Sequence, residues 1–252
     1  MSQVGMENNS TKATQLIYAR VAGFLFLWLI ITGLAGALTI SRIVGSGTLA
    51  ETAKRVAASE HLYRIALSSE LIETLSALVL AFALYVTLKP VDKLLAQIAM
   101  YWRLGESFIG VVGVIFGFLK LRLYGSHDAL DTLGTDRLQV LVGLTREAGF
   151  AVYNTSAICF SIGSLLFFYL LFKSRYIPQV LSAFGVFASA VVTVICFGSL
   201  IFPEHAATLQ YGWALMAIAE VTTGFWLMFW VKIPARNEPA SARPAGVRGS
   251  LA

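Results

Sequence analysis

Five ionisable residues stand inside stretches that are otherwise apolar: Glu70 and Glu73, Arg103 and Glu106, and Glu220. If those stretches are helical, Glu70 with Glu73 and Arg103 with Glu106 each share a helix face, because residues three apart are neighbours on a helix surface. A carboxyl held away from water is a possible proton donor, and one poised near neutrality can return as a base. A guanidinium beside it serves as counter-ion or grips an anionic ligand group. Four carboxyls opposed by one guanidinium cannot all be ionised in a low-dielectric interior, so part of the set is expected to hold protons. Glu70, Glu73, Glu106 and Glu220 are therefore the catalytic candidates. Arg103, Asn154, Tyr153, Trp28 and Thr32 are the ligand-binding ones, the last four completing a polar pocket with aromatic walls. The structural alternative is an Arg103 pair with Glu73 or Glu106 that only holds helices in register.

The elements that must carry these residues follow from composition. The chain has 252 residues, 57% hydrophobic and 13% charged, with a mean hydropathy of +0.74. Soluble domains carry about 25% charged residues, so most of this surface must face lipid. Apolar runs of about 20 residues, the length that crosses the hydrocarbon core, occur at 21–40, 65–88, 94–119, 148–172, 180–202 and 211–231. Period-two alternation is absent, which leaves helices as the spanning structure. The expected fold is all-α and polytopic, with six transmembrane helices. At about 1.5 Å per residue, Glu73 and Glu220 lie roughly 12 and 14 Å below the outer edge and Arg103 about 14 Å above the inner one. The charges thus share a layer from the midplane outward.

The loops set orientation. The turns LKPVDKL and FKSRYIPQ, on the side of the termini, are short and basic, and short loops weigh most in the positive-inside rule. Both termini are expected in the cytoplasm, with the membrane domain at 21–231 between a segment at 1–20 and a disordered, Pro-, Ala-, Gly- and Arg-rich tail at 232–252. On the outer side, Thr48 and Glu51 form a capping box before an amphipathic run. The loop 124–146, with its LQVLVGL run, is expected to fold back onto the bilayer, giving two outer amphipathic loop helices.

Other chemistry finds little support. The 19 basic against 14 acidic residues reflect topology rather than a nucleic-acid partner. Cys159 and Cys196 lie in apolar runs and read as small hydrophobes. His61, His127 and His205, with Asp128 or Glu204, lack metal-ligand spacing, and no cofactor motif is present.

The segments ARVAGFLFLWLIITG (19–33), ASEHLYRIALSSEL (58–71), ALYVTLKPVDKLLA (83–96), YWRLGES (101–107), YLLFKSRYIPQVLS (169–182) and AIAEVTTGFWLMFW (217–230) together resemble a bacterial family of six-span membrane proteins known only as a domain of unknown function. The resemblance covers nearly all of the chain except the tail. It implies that Glu70 matches a family acid, that Arg103 and Glu106 match an Arg followed by Gln or Glu, and that Glu220 matches a last-span glutamate. Glu73 departs from the pattern, and Ala77 stands where the family often has a second acid. A bacterial inner-membrane location is implied, and no activity.

Three functions remain open on these residues. The first is binding of a lipid-like or lipophilic small molecule from the bilayer. The second is an intramembrane enzyme using Glu acid–base chemistry on an isoprenoid or acyl substrate. The third is a proton-coupled carrier, which the absence of a visible internal repeat disfavours.

Overall fold

A computed structural model describes the backbone of residues 3–125 and 127–233, and the side chains of 12–125 and 136–233. Among these residues there are helices and no strands. The elements are α1 (Gln3–Val44), α2 (Leu49–Ala58), α3 (Glu60–Leu88), α4 (Lys93–Gly125), α5 (His127–Ser174) and α6 (Gln179–Ile201). Short turns of helix, including α7 (Ala206–Leu209), lead into α8 (Trp213–Phe229). Among the described residues, six helical segments are long and apolar enough to cross a membrane.

The spanning helices form a closed ring. α1 packs on α3, α3 on α4, α4 on α5, α5 on α6, α6 on α8, and α8 returns to α1. The α1–α8 seam closes on glycine: a Cβ at position 23 would stand 2.6 Å from the Gly224 carbonyl oxygen and from the Met228 amide nitrogen. Small residues bring backbones together where no hydrophobic drive between helices exists in lipid. Outside the ring the large side chains are apolar, among them Ile31, Val79, Phe108, Val194 and Phe225.

Local chemistry fixes the connections. The Thr48–Glu51 capping box is formed, with Glu51 N–H donating to Thr48 Oγ1 at 3.3 Å and Thr48 N–H to Glu51 Oε2 at 2.9 Å. Arg55 of α2 donates to the carbonyls of Ile43, Val44 and Ser46, supplying partners to the free end of α1. Asp92 caps α4 by accepting from the Leu95 N–H at 3.1 Å, and its other oxygen lies 3.5 Å from Lys173 Nζ, which joins the two basic turns.

Two boundaries differ from the sequence expectation. Helix α1 begins well before residue 21: Gln15 and Ala19 are buried, and Gln15 donates to the Thr87 carbonyl at 3.0 Å. Gln15 thus anchors this early part of α1 on the end of α3. The loop 124–146 is not a second separate helix, since α4 runs to Gly125 and α5 continues unbroken from His127. No proline interrupts α5, and Leu138 and Thr145 are buried while Val140 and Leu144 stay exposed. The tail from residue 234, and the side chains of His127 and Asp128, lie outside the described residues.

Two apolar clusters divide the interior. The larger includes Ala22, Phe26, Leu84, Ala99 and Phe168 toward the termini and, along α6 and α8, continues past the level of Glu220 to Cys196 and Met216. The smaller, beside α2, consists of Ile43, Val56, Tyr63, Leu67 and Leu121. On α1, α3 and α4 the residues between these two clusters are those of the charged layer.

Candidate charged site

Arg103 is 2% exposed on α4. Its Nη1 lies 3.0 Å from Glu106 Oε2 and donates to Ser164 Oγ at 3.4 Å, and its guanidinium stands 4.5 Å over the Phe160 ring. An Arg held over an aromatic face gains further electrostatic attraction when desolvated. Gly163 makes room for it: a Cβ there would come 2.8 Å from Arg103 Cγ. The ion pair is therefore local to one helix, and its second wall is the Phe160, Gly163 and Ser164 face of α5. Ser156, a turn earlier on that helix, donates to the Glu106 carbonyl at 2.9 Å.

The other acids approach from neighbouring helices. Glu73 of α3 lies against α1, where a Cβ on Gly33 would meet its Oε1 at 2.7 Å, and Glu70 packs its Cγ on Gly36. Glu73 interacts electrostatically with Glu70, Glu106 and Arg103, and Glu220 with Arg103, Glu106 and Glu73. Among the described residues neither Glu73 nor Glu220 has a cation within 4.0 Å. Among the described residues, three buried side-chain polar atoms have no hydrogen-bond partner: Arg103 Nε, Glu106 Oε2 and Thr223 Oγ1. Glu106 Oε2 thus touches Arg103 as an ion pair without lying along an N–H direction. Thr223 stands three residues after Glu220, on the same face of α8. A void of about 10 Å³ beside Arg103 is lined by Ser164, Phe26, Leu84 and Phe168 among others.

The predicted ligand-binding residues divide. Asn154 is buried but returns its amide to the Phe150 carbonyl at 2.9 Å, within its own helix. Tyr153 packs against Trp213 with centroids 6.1 Å apart and interacts with Glu73. Trp28 and Thr32 line a separate groove between α1 and α3, together with His61 and Arg64. Lys120, which the sequence places among the outer-side cations, acts electrostatically on Glu70. Thr223, Ser164 and Phe160 also escape sequence reasoning, although Ser156, Phe160, Gly163 and Ser164 repeat at helical spacing along one face. Among the described residues, no three His, Cys, Asp or Glu side chains group to hold a metal ion.

The family model described as Domain of unknown function (DUF4386) matches residues 21–230. No curated protein and no solved structure matches the chain.

Proposed function

As the chain belongs to the DUF4386 family and is a multi-pass membrane protein, we propose that its charged layer binds the polar end of a lipid-like or lipophilic small molecule. The observation that carries this is a pair of buried polar atoms without hydrogen-bond partners among the described residues, Arg103 Nε and Thr223 Oγ1, beside a Glu106 oxygen held only by an off-axis ion pair with Arg103. Each such atom costs about 1–3 kcal/mol while unmade, so a ligand group that both donates and accepts recovers that cost. The void of about 10 Å³ admits only a water-sized group. Of the layer only Arg103, with Ser164 beside it, lines that void, so the group seated there is a small polar end on the guanidinium and the ligand's apolar body stays among the helices or in lipid. Native mass spectrometry with lipid extraction, on protein purified in mild detergent, tests this. A discrete molecule bound to wild type and lost in Glu220→Gln is expected; none bound to either would return the layer to a structural role.

A second reading, acid–base chemistry on that molecule, is favoured by Glu73 and Glu220 lying beyond ion-pair distance of any described cation. Turnover surviving each of Glu70→Gln, Glu73→Gln, Glu106→Gln and Glu220→Gln would remove it. We also infer residence in a bacterial inner membrane, with residues 21–231 as the membrane domain and both ends cytoplasmic. Support comes from Lys89, Lys93, Lys173 and Arg175, which cluster at the two short turns on the termini side.

A further inference from the structure

The groove between α1 and α3 has a volume of about 420 Å³, within the range of small-molecule sites. Along α3 it runs from His61 and Arg64, near the helix start, past Ser68 and Ser69 to Ile72. The eleven steps from His61 to Ile72 span about 16 Å, close to the depth of one leaflet of a 30 Å core. Its polarity is graded over that depth. A half-exposed guanidinium and an imidazole stand at the mouth beside Ile65, two hydroxyls (Ser68 and Ser69) come next, and Ile72, the Trp28 ring and Thr32, whose hydroxyl donates to its own helix, line the deep end. Arg64 spends Nε and Nη2 on the single oxygen Glu60 Oε1, at 2.9 and 2.7 Å, leaving Nη1 for another acceptor. Charge at the surface, hydrogen-bonding groups at ester depth and apolar walls below reproduce the order of groups in a phospholipid.

We propose that this groove seats one acyl chain and the phosphate of an anionic glycerophospholipid from the leaflet on the α2 side, with Arg64 on the phosphate. The site is separate from the charged layer: Glu70 and Glu73 point into the α1–α3 seam at Gly36 and Gly33, while the groove is formed by the exposed flank, where Ile65 is 65% exposed. The test uses the full chain in phosphatidylcholine nanodiscs with a trace of phosphatidylglycerol bearing a photoreactive acyl chain, and cross-links mapped by peptide. Labelling is expected to concentrate on peptides containing 28–32 and 61–72, to be lost in Ile65→Trp, which fills the groove, and to fall in Arg64→Gln. Both side chains are at the surface, so the fold is expected to survive either change. Glu220→Gln is expected to leave labelling intact, which separates this site from the layer. Equal labelling by photoreactive phosphatidylcholine, indifference to Ile65→Trp and Arg64→Gln, or loss in Glu220→Gln would each overturn the proposal.

Discussion

Arg103 owes its place to partners on two helices: Glu106 one turn along α4, and Ser164 and the Phe160 ring on α5. Removing a buried guanidinium leaves its acid unpaired in low dielectric, at a cost of about 3–5 kcal/mol. Arg103→Gln is therefore expected to lower the unfolding midpoint in detergent strongly. Glu106→Gln is expected to lower it less, because the amide oxygen still accepts from the guanidinium and Glu73 and Glu220 still interact with it electrostatically; equal losses would mean that Glu106 alone balances Arg103. Thr223 offers the opposite sign. Its 0% exposed hydroxyl has no partner, whereas Thr32, Thr74, Thr87 and Thr222 each return theirs to a carbonyl four residues back. Thr223→Val, nearly the same shape, is expected to raise or preserve the midpoint of ligand-free protein while abolishing the ligand seen by native mass spectrometry. A marked fall in the ligand-free midpoint would mean that the hydroxyl has a partner.

Between elements, closeness of approach decides stability. Gly23→Val places side-chain atoms on the Gly224 and Met228 backbone, which cannot step aside, and is expected to cost about 1–3 kcal/mol or more in thermal unfolding. Gly143→Ala on α5 meets nothing within 4 Å and is expected to gain up to about 1 kcal/mol from helix propensity. Reversal of that order would rule out a tight α1–α8 seam. The α3–α4 turn adds a pH dependence. The Leu95 N–H first, and Lys173 after it, hold the Asp92 carboxyl below the usual aspartate range. The unfolded chain takes up that proton more readily, so the contribution is whole above about pH 3.9, the unfolded value, and is lost as pH falls through the lower folded one. Asp92→Ala is thus expected to melt below wild type at neutral pH, with the gap closing toward pH ~3; a gap that stays constant with pH would contradict this.

At the scale of the molecule, the ring of six helices carries a polar layer that lies, on α1, α3 and α4, between two apolar clusters of unequal size. Topology follows from the same arrangement. Reporter fusions after residue 233 and within 89–92 are expected to be active only with a cytoplasmic reporter, and a fusion within 45–48 only with an exported one; the reverse pattern would invert the orientation. By itself the sequence determined that six helices cross a membrane, because run length and hydropathy act residue by residue and need no partner. It also determined that Glu73, Arg103, Glu106 and Glu220 occupy one level, because rise per residue is fixed. It could not settle who faces whom. Whether Arg103 meets Glu73 or Glu106 depended on helix rotation, and that was decided by Gly163 admitting the Arg103 stem on α5 and Gly33 admitting Glu73 on α1. Trp28 and Thr32 share the layer's apparent depth yet turn toward the groove, and Lys120, counted with the loops, acts electrostatically on Glu70. The unbroken course of α5 was equally a tertiary matter, since the LQVLVGL run suits an interfacial helix or an extended one and only its fixed neighbours choose. Depth is a one-dimensional property that the chain carries in its order, whereas facing is set by the shape of the partner helix, which exists only in the assembled bundle.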